Sequence, residues 1–194
     1  MAGRLEGRKV GILMENDFAE YEIFFYQHRF PEEGAEVHFL TRMWGQASLT
    51  FRGHEEKYPF EVHESFEDMS DDDLAGYAAI IVPGGYVSDH LRYTEDMARL
   101  APATDFMKRA FANPNLLKGI NCHGMWLLSP VPELIRGRPV VAHINLLGDI
   151  QNMGGVYTDE DVVVDRDLVT GRSAGHCGPF AHRIIEMLAA GGTV

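Results

Sequence analysis

The chain has 194 residues, a formal net charge of −12 and 45% hydrophobic residues, which is enough for one sizeable core and short for two. The acidic balance argues against binding to a nucleic acid backbone or to an anionic membrane surface. No apolar run approaches the roughly 18 residues that a membrane span needs, and the N-terminus does not resemble a signal peptide. Two cysteines, Cys122 and Cys177, are too few for a disulfide framework. We therefore expect a single cytoplasmic domain over residues 1–194.

The first forty residues predict a strand, a helix and a second strand. Lys9–Glu15 is a mostly apolar run, as is typical of a strand buried on both faces. Asn16 or Asp17 is expected to cap the helix that follows, and Gly34 is expected to end it. Glu36–Thr41 is the next predicted strand. Such a unit favours a parallel pair of strands joined by a right-handed crossover.

The middle of the chain is less regular. Residues 44–70 predict short strands and loops, and the acidic stretch Asp68–Tyr77 predicts a solvated turn or a short helix. Tyr77–Gly85 is a continuous apolar run stopped by Pro-Gly-Gly, which indicates a central strand that ends in a loop. A helix is expected over residues 95–111, where Pro102 limits or kinks it.

The second half predicts further alternation of strands and helices. The expected elements are a strand at 116–122, a helix at 124–135 disturbed by two prolines, a strand at 138–144, a helix or turn at 144–153, a pair of strands at 155–172 and a closing amphipathic helix at 178–190. Strands that alternate with helices predict an α/β fold, a three-layer sandwich around a mostly parallel central sheet.

Several chemically capable residues follow the predicted strands. They are Glu22, the Gly84–Gly85 pair, the Cys122–His123 pair and His143. They are scattered through the sequence, but the carboxyl ends of parallel strands meet at one edge of a sheet, where such folds place their sites. We therefore expect these residues to come together.

Cys122 stands where a strand is expected to turn abruptly into a helix. A turn of this kind exposes the side chain and strains its backbone, as in the nucleophile elbow of hydrolases. The positive end of the helix would lower the pKa of the thiol. Backbone N–H groups of His123 and of the Gly84–Gly85 loop could bind an oxyanion. These features favour a nucleophilic Cys122, with a buried inert cysteine as the alternative.

The motifs IIVPGG, INCHG and RGRPVVAH, in this order, resemble those of the ThiJ/PfpI superfamily. The opening helix region and the stretch GDIQNMGGVYTDEDVVVDRDLVTGR are similar to the same group, so the resemblance covers about residues 8–190. The superfamily includes enzymes of the intracellular protease I, Parkinson-associated deglycase and glyoxalase III types. The resemblance implies a flavodoxin-like fold of the class I glutamine amidotransferase kind, a homodimer or higher homo-oligomer, and no cofactor.

The resemblance also implies roles for matching positions. Cys122 matches the elbow cysteine, and Glu22 falls where the superfamily keeps a glutamate beside the sulfur. A raised Glu22 pKa coupled to a lowered Cys122 pKa is then expected. His123 is either a direct participant, or a residue that faces a neighbouring subunit or fixes the turn, because neighbours on a tight turn point different ways. His143 is either the general base or a core histidine with satisfied hydrogen bonds.

Two features depart from the superfamily pattern. Asn121 stands where an apolar or small residue is usual, so its side chain must find a partner in the sheet. His176 and Cys177 form an unusual pair. If their loop folds over the pocket, Cys177 could resolve an oxidised Cys122 as a disulfide. The spacing of these residues does not match a zinc motif, so a metal is not expected.

These residues support hypotheses of different classes. The leading one is a cofactor-independent cysteine enzyme, a glyoxalase III-like or deglycase-like lyase that converts small reactive aldehydes through a Cys122 thiolate. The same residues would suit isonitrile hydration or the amide hydrolysis of a PfpI-type peptidase. A non-catalytic redox-sensing stress protein or chaperone, with Cys122 as its oxidisable group, is a further alternative. The expected partner is a small-molecule substrate, not nucleic acid or membrane.

Overall fold

The computed structural model describes residues 3–191 of the chain. The strands are β1 (Lys9–Leu13), β2 (Glu36–Thr41), β3 (Leu49–Arg52), β4 (Pro59–Val62), β5 (Glu64–Ser65), β6 (Ala79–Val82), β7 (Leu117–Asn121), β8 (Pro139–Val140), β9 (Val156–Tyr157), β10 (Val162–Asp165) and β11 (Leu168–Gly171). The α-helices are α1 (Glu20–Glu32), α2 (Asp71–Ala75), α3 (Val87–Leu91), α4 (Pro102–Ala112), α5 (Leu147–Asn152) and α6 (Cys177–Ala189). Short 3₁₀ helices cover Cys122–Leu128, Pro132–Leu134, Ile144–Leu146 and Ala174–His176.

Seven strands form one sheet in the order β10-β11-β7-β6-β1-β2-β5. β1 pairs in parallel with β2 and β6, β7 pairs in parallel with β6 and β11, and β10 adds an antiparallel edge. Helices α1 and α6 pack against each other, while α3 and α4 pack with the 3₁₀ helix at 122–128. Helices therefore flank a mostly parallel sheet, which confirms the three-layer α/β fold. Within residues 3–191, no helix is long and apolar enough to cross a membrane.

The central strands form the middle of the hydrophobic core. The fully buried side chains on β1 and β6 are those of Val10, Ile12, Leu13, Ala79, Ile80, Ile81 and Val82. A strand with helices on both faces buries every position, so its sequence is a continuous apolar run rather than an alternating one. Removing each larger side chain from water contributes about 1.5–3 kcal/mol. This core holds the carboxyl ends of β1, β6 and β7 in fixed relative positions.

The start of α1 differs from the prediction. The helix begins at Glu20, and no side chain caps it. The Asn16 side-chain oxygen instead accepts a hydrogen bond from the Arg52 backbone N–H at 3.0 Å, and Asp17 has a φ of 55°. The expected cap by Asn16 or Asp17 is wrong because both residues belong to a loop that is fastened to β3.

The helix expected over residues 124–135 is also wrong. The structure has two 3₁₀ helices there, at Cys122–Leu128 and Pro132–Leu134. Pro130 and Pro132 cannot donate backbone hydrogen bonds, and each proline disfavours an α-helical residue before it. The chain therefore tightens and turns instead of continuing as an α-helix.

Two other predicted elements are shorter than expected. The strand at 138–144 is reduced to Pro139–Val140, which pairs in parallel with β9 outside the main sheet. The helix at 95–111 begins only at Pro102, where the fixed φ of proline suits a first helical position. Pro102 therefore limits this helix rather than kinking it. Helix α3 at Val87–Leu91 was not predicted at all.

Candidate active site

Cys122 lies on a strained turn between β7 and the 3₁₀ helix. Its φ is 55°, a conformation that non-glycine residues rarely adopt. Gly124 allows the turn to pass close to β6, because a Cβ at this position would lie 2.7 Å from the carbonyl oxygen of Val82. The turn has the expected elbow geometry, but it does not expose the side chain, since Cys122 is only 6% exposed.

Glu22 is fully buried in the first turns of α1. Its Oε1 accepts hydrogen bonds from the Tyr26 hydroxyl at 2.8 Å and from Asn121 Nδ2 at 3.0 Å. Its Oε2 accepts one from the backbone N–H of Gly84 at 2.9 Å. Burial raises the pKa of Glu22, and these three donors offset only part of that rise. The raised pKa and the partner for Asn121 both agree with the sequence analysis.

Gly84 separates the Glu22 carboxyl group from Cys122. A Cβ at Gly84 would lie 2.8 Å from Glu22 Oε2, 2.8 Å from the Cys122 Cβ and 3.4 Å from the Cys122 Sγ. The carboxyl group and the sulfur therefore share one small space that only a glycine leaves open. The structure brings together Glu22, Gly84 and Cys122 as the parallel sheet predicted.

The expected lowering of the Cys122 pKa is wrong. Burial and then the nearby Glu22 carboxylate raise the pKa of this thiol to about 11, although the backbone N–H groups of Ala174, His123 and Gly85 act in the opposite direction. The physical reason is that the turn is buried and opens a short 3₁₀ helix rather than an α-helix, so little helix dipole opposes the cost of burial. The thiol therefore needs a base to ionise at neutral pH.

His123 lies beside this thiol. Its Nδ1 lies 3.3 Å from the Cys122 Sγ, so the turn does allow adjacent side chains to meet. Burial and the neighbouring His143 lower the pKa of His123, which keeps its imidazole neutral and able to accept a proton near pH 7.

His143 contacts His123 rather than the sulfur. The two rings are stacked with centroids 4.6 Å apart. The Nδ1 of His143 accepts a hydrogen bond from the Asn145 backbone N–H at 3.3 Å. His143 therefore acts on the pKa of His123, and its side chain makes no hydrogen bond to the Cys122 thiol within residues 3–191.

The loop before α6 closes the other side of the site. His176 is held by Ser173, whose Oγ lies 2.8 Å from its Nδ1, and by Asp161 at 3.3 Å. Cys177 is fully buried, and burial followed by the Glu22 charge raises its pKa to about 12. Both cysteines are free, and the resolving role of Cys177 stays a prediction. Within residues 3–191, no group of three or more histidine, cysteine or acidic side chains is arranged to hold a metal ion.

Two contributors to this site were missed from the sequence. Ala174 supplies a backbone N–H that favours the Cys122 thiolate, and Tyr26 donates its hydroxyl to Glu22. The role of the Ala174 backbone N–H could not be predicted, because nearly every residue type carries the same group. Tyr26 lies one helical turn after Glu22, so helical spacing could have placed both side chains on one face.

We expect Gly84→Ala to disrupt the site. The added methyl group would overlap Glu22 Oε2 and the Cys122 Cβ, and overpacking of this kind costs about 1–3 kcal/mol. The free energy of unfolding should fall by that amount, and iodoacetamide should alkylate Cys122 at a different rate. Urea denaturation and intact-mass kinetics measure the two effects.

Gly148→Ala is the matched control for this substitution. A Cβ at Gly148 meets nothing within 4 Å, and alanine in helix α5 is favoured over glycine by about 0.5–1 kcal/mol. The control should be as stable as the wild type or slightly more stable. Equal stability of the Gly84→Ala and Gly148→Ala variants would contradict the close packing assigned to Gly84.

The fold and the strained cysteine turn define a flavodoxin-like α/β protein with a candidate nucleophile at the carboxyl edge of its sheet. The sequence profile described as the DJ-1/PfpI family matches residues 8–187. The chain therefore belongs to this family, as its motifs predicted.

Curated relatives and solved structures match over almost the whole chain. Protein/nucleic acid deglycase 2 of Escherichia coli is 27% identical over 184 residues, covering 94% of this chain and 99% of the relative. Deglycase PfpI of Pyrococcus furiosus is 25% identical, covering 93% and 99%. A two-domain Anabaena variabilis protein with DJ-1/ThiJ/PfpI-like and ferritin-like domains has a TM-score of 0.81 and 24% identity, over 93% of this chain and 48% of that one. Schizosaccharomyces pombe DJ-1 has a TM-score of 0.73 and 20% identity, over 92% and 90%.

Proposed function

We propose that the protein is a cofactor-independent cysteine enzyme that converts small reactive aldehydes by glyoxalase III-like or deglycase-like chemistry. The observation that carries the proposal is the 3.3 Å contact between the Cys122 Sγ and His123 Nδ1 on a strained turn. The buried Glu22 carboxyl group beside this pair supplies a second proton-transfer group. The deglycase names of two relatives with near-complete coverage support the same reaction class.

The first step is activation of the thiol. With a pKa of about 11, the free Cys122 thiol is protonated near pH 7 and is a weak nucleophile. The neutral His123 imidazole takes its proton as the sulfur attacks the aldehyde carbon. The backbone N–H groups of Gly85 and His123, which act on the Cys122 sulfur, would suit the negative charge that develops on the former carbonyl oxygen. His123 then returns the proton to this oxygen, which completes a hemithioacetal.

The second step is a proton transfer between adjacent carbons. For a 2-oxoaldehyde, a base removes the proton from the carbon bonded to sulfur, and the neighbouring ketone carbon receives one. The product is a thioester of a 2-hydroxy acid, and water then cleaves it to the free acid and the thiol. Glu22 and His143 were both candidates for this base. Glu22 is favoured because its Oε2 and the sulfur flank the same glycine, whereas the His143 ring stacks on His123.

Amide hydrolysis is the second candidate function. The Cys122–His123 contact favours it, because a peptidase also needs an imidazole that takes the thiol proton and returns it to a leaving amine. Isonitrile hydration would use the same two residues. The redox-sensing alternative depends on a thiol that ionises readily, and the pKa of about 11 argues against that property.

The test is a substrate panel of methylglyoxal, an isonitrile and a peptide amide. Wild-type protein should release lactate from methylglyoxal, and Cys122→Ser should lose this turnover. Cys177→Ala is the control for the second cysteine and should retain turnover. Wild-type protein that acts only on the amide or the isonitrile would favour the corresponding alternative, and no turnover on any member would contradict the proposed enzyme.

We propose one domain over residues 1–194, a cytoplasmic location and a homodimer or higher homo-oligomer. The oligomeric state is measured directly by sedimentation at several concentrations.

A further inference from the structure

The two oxygens of the Glu22 carboxyl group have different surroundings. Oε1 accepts two hydrogen bonds, from Tyr26 and Asn121, which use both of its lone pairs. Oε2 accepts one, from the Gly84 backbone N–H, and it lies on the side of the carboxyl group that faces Cys122 across that glycine. Only Oε2 therefore keeps a lone pair that can carry a proton.

The donor role of Asn121 is fixed by a neighbouring carbonyl group. Its Nδ2 donates to Glu22 Oε1 at 3.0 Å and also to the Ser173 backbone oxygen at 3.1 Å. A backbone carbonyl oxygen can only accept, so the amide must present its NH₂ group to this side. Asn121 is thus an obligate donor to Oε1 as long as the loop before α6 keeps its position.

Tyr26 is held as a donor by burial. Its hydroxyl lies 2.8 Å from Glu22 Oε1. Burial, followed by the Glu22 charge, raises the pKa of Tyr26 well above its usual value. The phenol therefore keeps its proton at every pH at which the protein would work, and this proton points to Oε1.

We propose that Asn121 and Tyr26 are positioning residues that confine the acid proton of Glu22 to Oε2, on the side of Cys122. The proposal rests on the proposed role of Glu22 in moving a proton during turnover. Because the proton can occupy only Oε2, Glu22 takes it up and gives it back on the side of the sulfur. The hydrogen bonds of its Oε1 do not have to rearrange. Preorganisation of this kind removes a step that a carboxyl group with two equivalent oxygens would need.

An unpartnered atom supports a role for Asn121 beyond packing. Its Oδ1 is buried and has no hydrogen-bond partner among the described residues. It faces Gly171, where a Cβ would lie only 2.3 Å from it. A buried polar atom without a partner is unfavourable, and an apolar residue at 121 would avoid it. The donated hydrogen bond to Glu22 is the compensating feature that the structure offers.

Infrared spectroscopy of the protonated Glu22 carboxyl group tests which oxygen carries the proton. Its C=O band is the one present in wild-type protein at low pH and absent in Glu22→Gln. If Oε1 is the carbonyl oxygen, Asn121→Leu and Tyr26→Phe each remove one hydrogen bond from it and shift the band to higher wavenumber. If the proton sat on Oε1, the carbonyl oxygen would be Oε2, and neither variant would move the band.

The pH dependence of the same band gives a second readout. Asn121→Leu removes a hydrogen bond that is stronger to the ionised than to the neutral carboxyl group, so the midpoint of its titration should rise by about one pH unit. Thr170→Val is the matched control: on the neighbouring strand it loses buried hydrogen bonds to Val141 and Val163 without a contact to Glu22. It should leave both the band and its midpoint unchanged.

The outcomes separate this proposal from the proposed function. An unmoved band in either Asn121→Leu or Tyr26→Phe overturns it, as does a wild-type protein without any protonated Glu22 band. Tyr26→Phe removes a single oxygen atom, so the test remains open if Asn121→Leu does not fold. No substrate is present in these measurements. Absence of methylglyoxal turnover would therefore contradict the reaction class only. The infrared band would still decide which oxygen of Glu22 carries the proton.

Discussion

Replacing His123 with alanine is expected to lower methylglyoxal turnover by about 10²–10⁴-fold, the usual contribution of a positioned general base. The reason is that Cys122 has a pKa of about 11, and the proposed proton acceptor, His123 Nδ1, lies 3.3 Å from its sulfur. At a pKa of about 11, only a fraction on the order of 10⁻⁴ of the thiol is ionised at pH 7, and without His123 the attack depends on this fraction alone. Steady-state kinetics with purified protein measures the loss.

The pH profile of the His123→Ala variant tests whether His123 acts as a base or as a structural residue. The thiolate fraction of the His123→Ala variant should increase about tenfold per pH unit below pH 11. Iodoacetamide alkylation of Cys122 should therefore approach the wild-type rate as the pH rises. A constant deficit at every pH would instead indicate that the substitution had displaced the sulfur.

His143→Ala is the matched control, since it removes a second histidine ring from the same stack. The variant would lose the effect by which His143 lowers the pKa of His123. Its turnover should fall by a smaller factor than that of His123→Ala. If His143→Ala were the more damaging substitution, the general base would be His143, and the assigned order of the two histidines would be reversed.

The fold could be predicted because its central strands are buried on both faces. Continuous apolar runs at 9–15 and 77–85 mark β1 and β6 without reference to tertiary contacts. The ends of the elements were less predictable. Asn16 and Asp17 are good capping residues by type, but a hydrogen bond from Arg52, 36 positions along the chain, places Asn16 in a loop. Long-range contacts of this kind outweigh local preference.

The site was predictable to the extent that sheet topology determines it. The carboxyl ends of β1, β6 and β7 bring Glu22, Gly84 and Cys122 together, as expected of a parallel sheet. The electrostatics were not predictable in the same way. The pKa of Cys122 depends on how deeply the turn is buried and on the type of helix it opens, and neither follows from the motif INCHG.

A buried ion-pair network at the amino end of β7, away from Cys122, was also not predicted from the sequence. Lys118, within the apolar run of β7, has no solvent-exposed surface. Its Nζ contacts Asp167 at 2.5 Å and the Asn113 carbonyl oxygen at 3.0 Å. Burial alone would raise the pKa of Asp167, but Lys118 and Arg138 together lower it. This network ties the turn of the β10–β11 hairpin to β7.

Lys118→Ala is expected to lower the free energy of unfolding by about 3 kcal/mol, the lower end of the cost of removing one partner from a buried ion pair. The loss has two physical parts. Asp167 loses its Lys118 partner and keeps only Arg138, at 2.8 Å. A cavity also replaces the lysine chain beside Phe111, whose ring centroid lies 5.2 Å from Nζ. Urea denaturation measures the change as a lower midpoint at constant m-value.

Lys57→Ala is the control for this prediction, because it also removes a lysine from an aspartate at ion-pair distance. Lys57 contacts Asp17 at 3.0 Å, but its side chain is 58% exposed. Water replaces such a partner readily, so the cost should stay below about 1 kcal/mol. A Lys118→Ala variant as stable as Lys57→Ala would mean that Arg138 alone neutralises Asp167. The position of the β10–β11 hairpin against β7 would then not depend on Lys118.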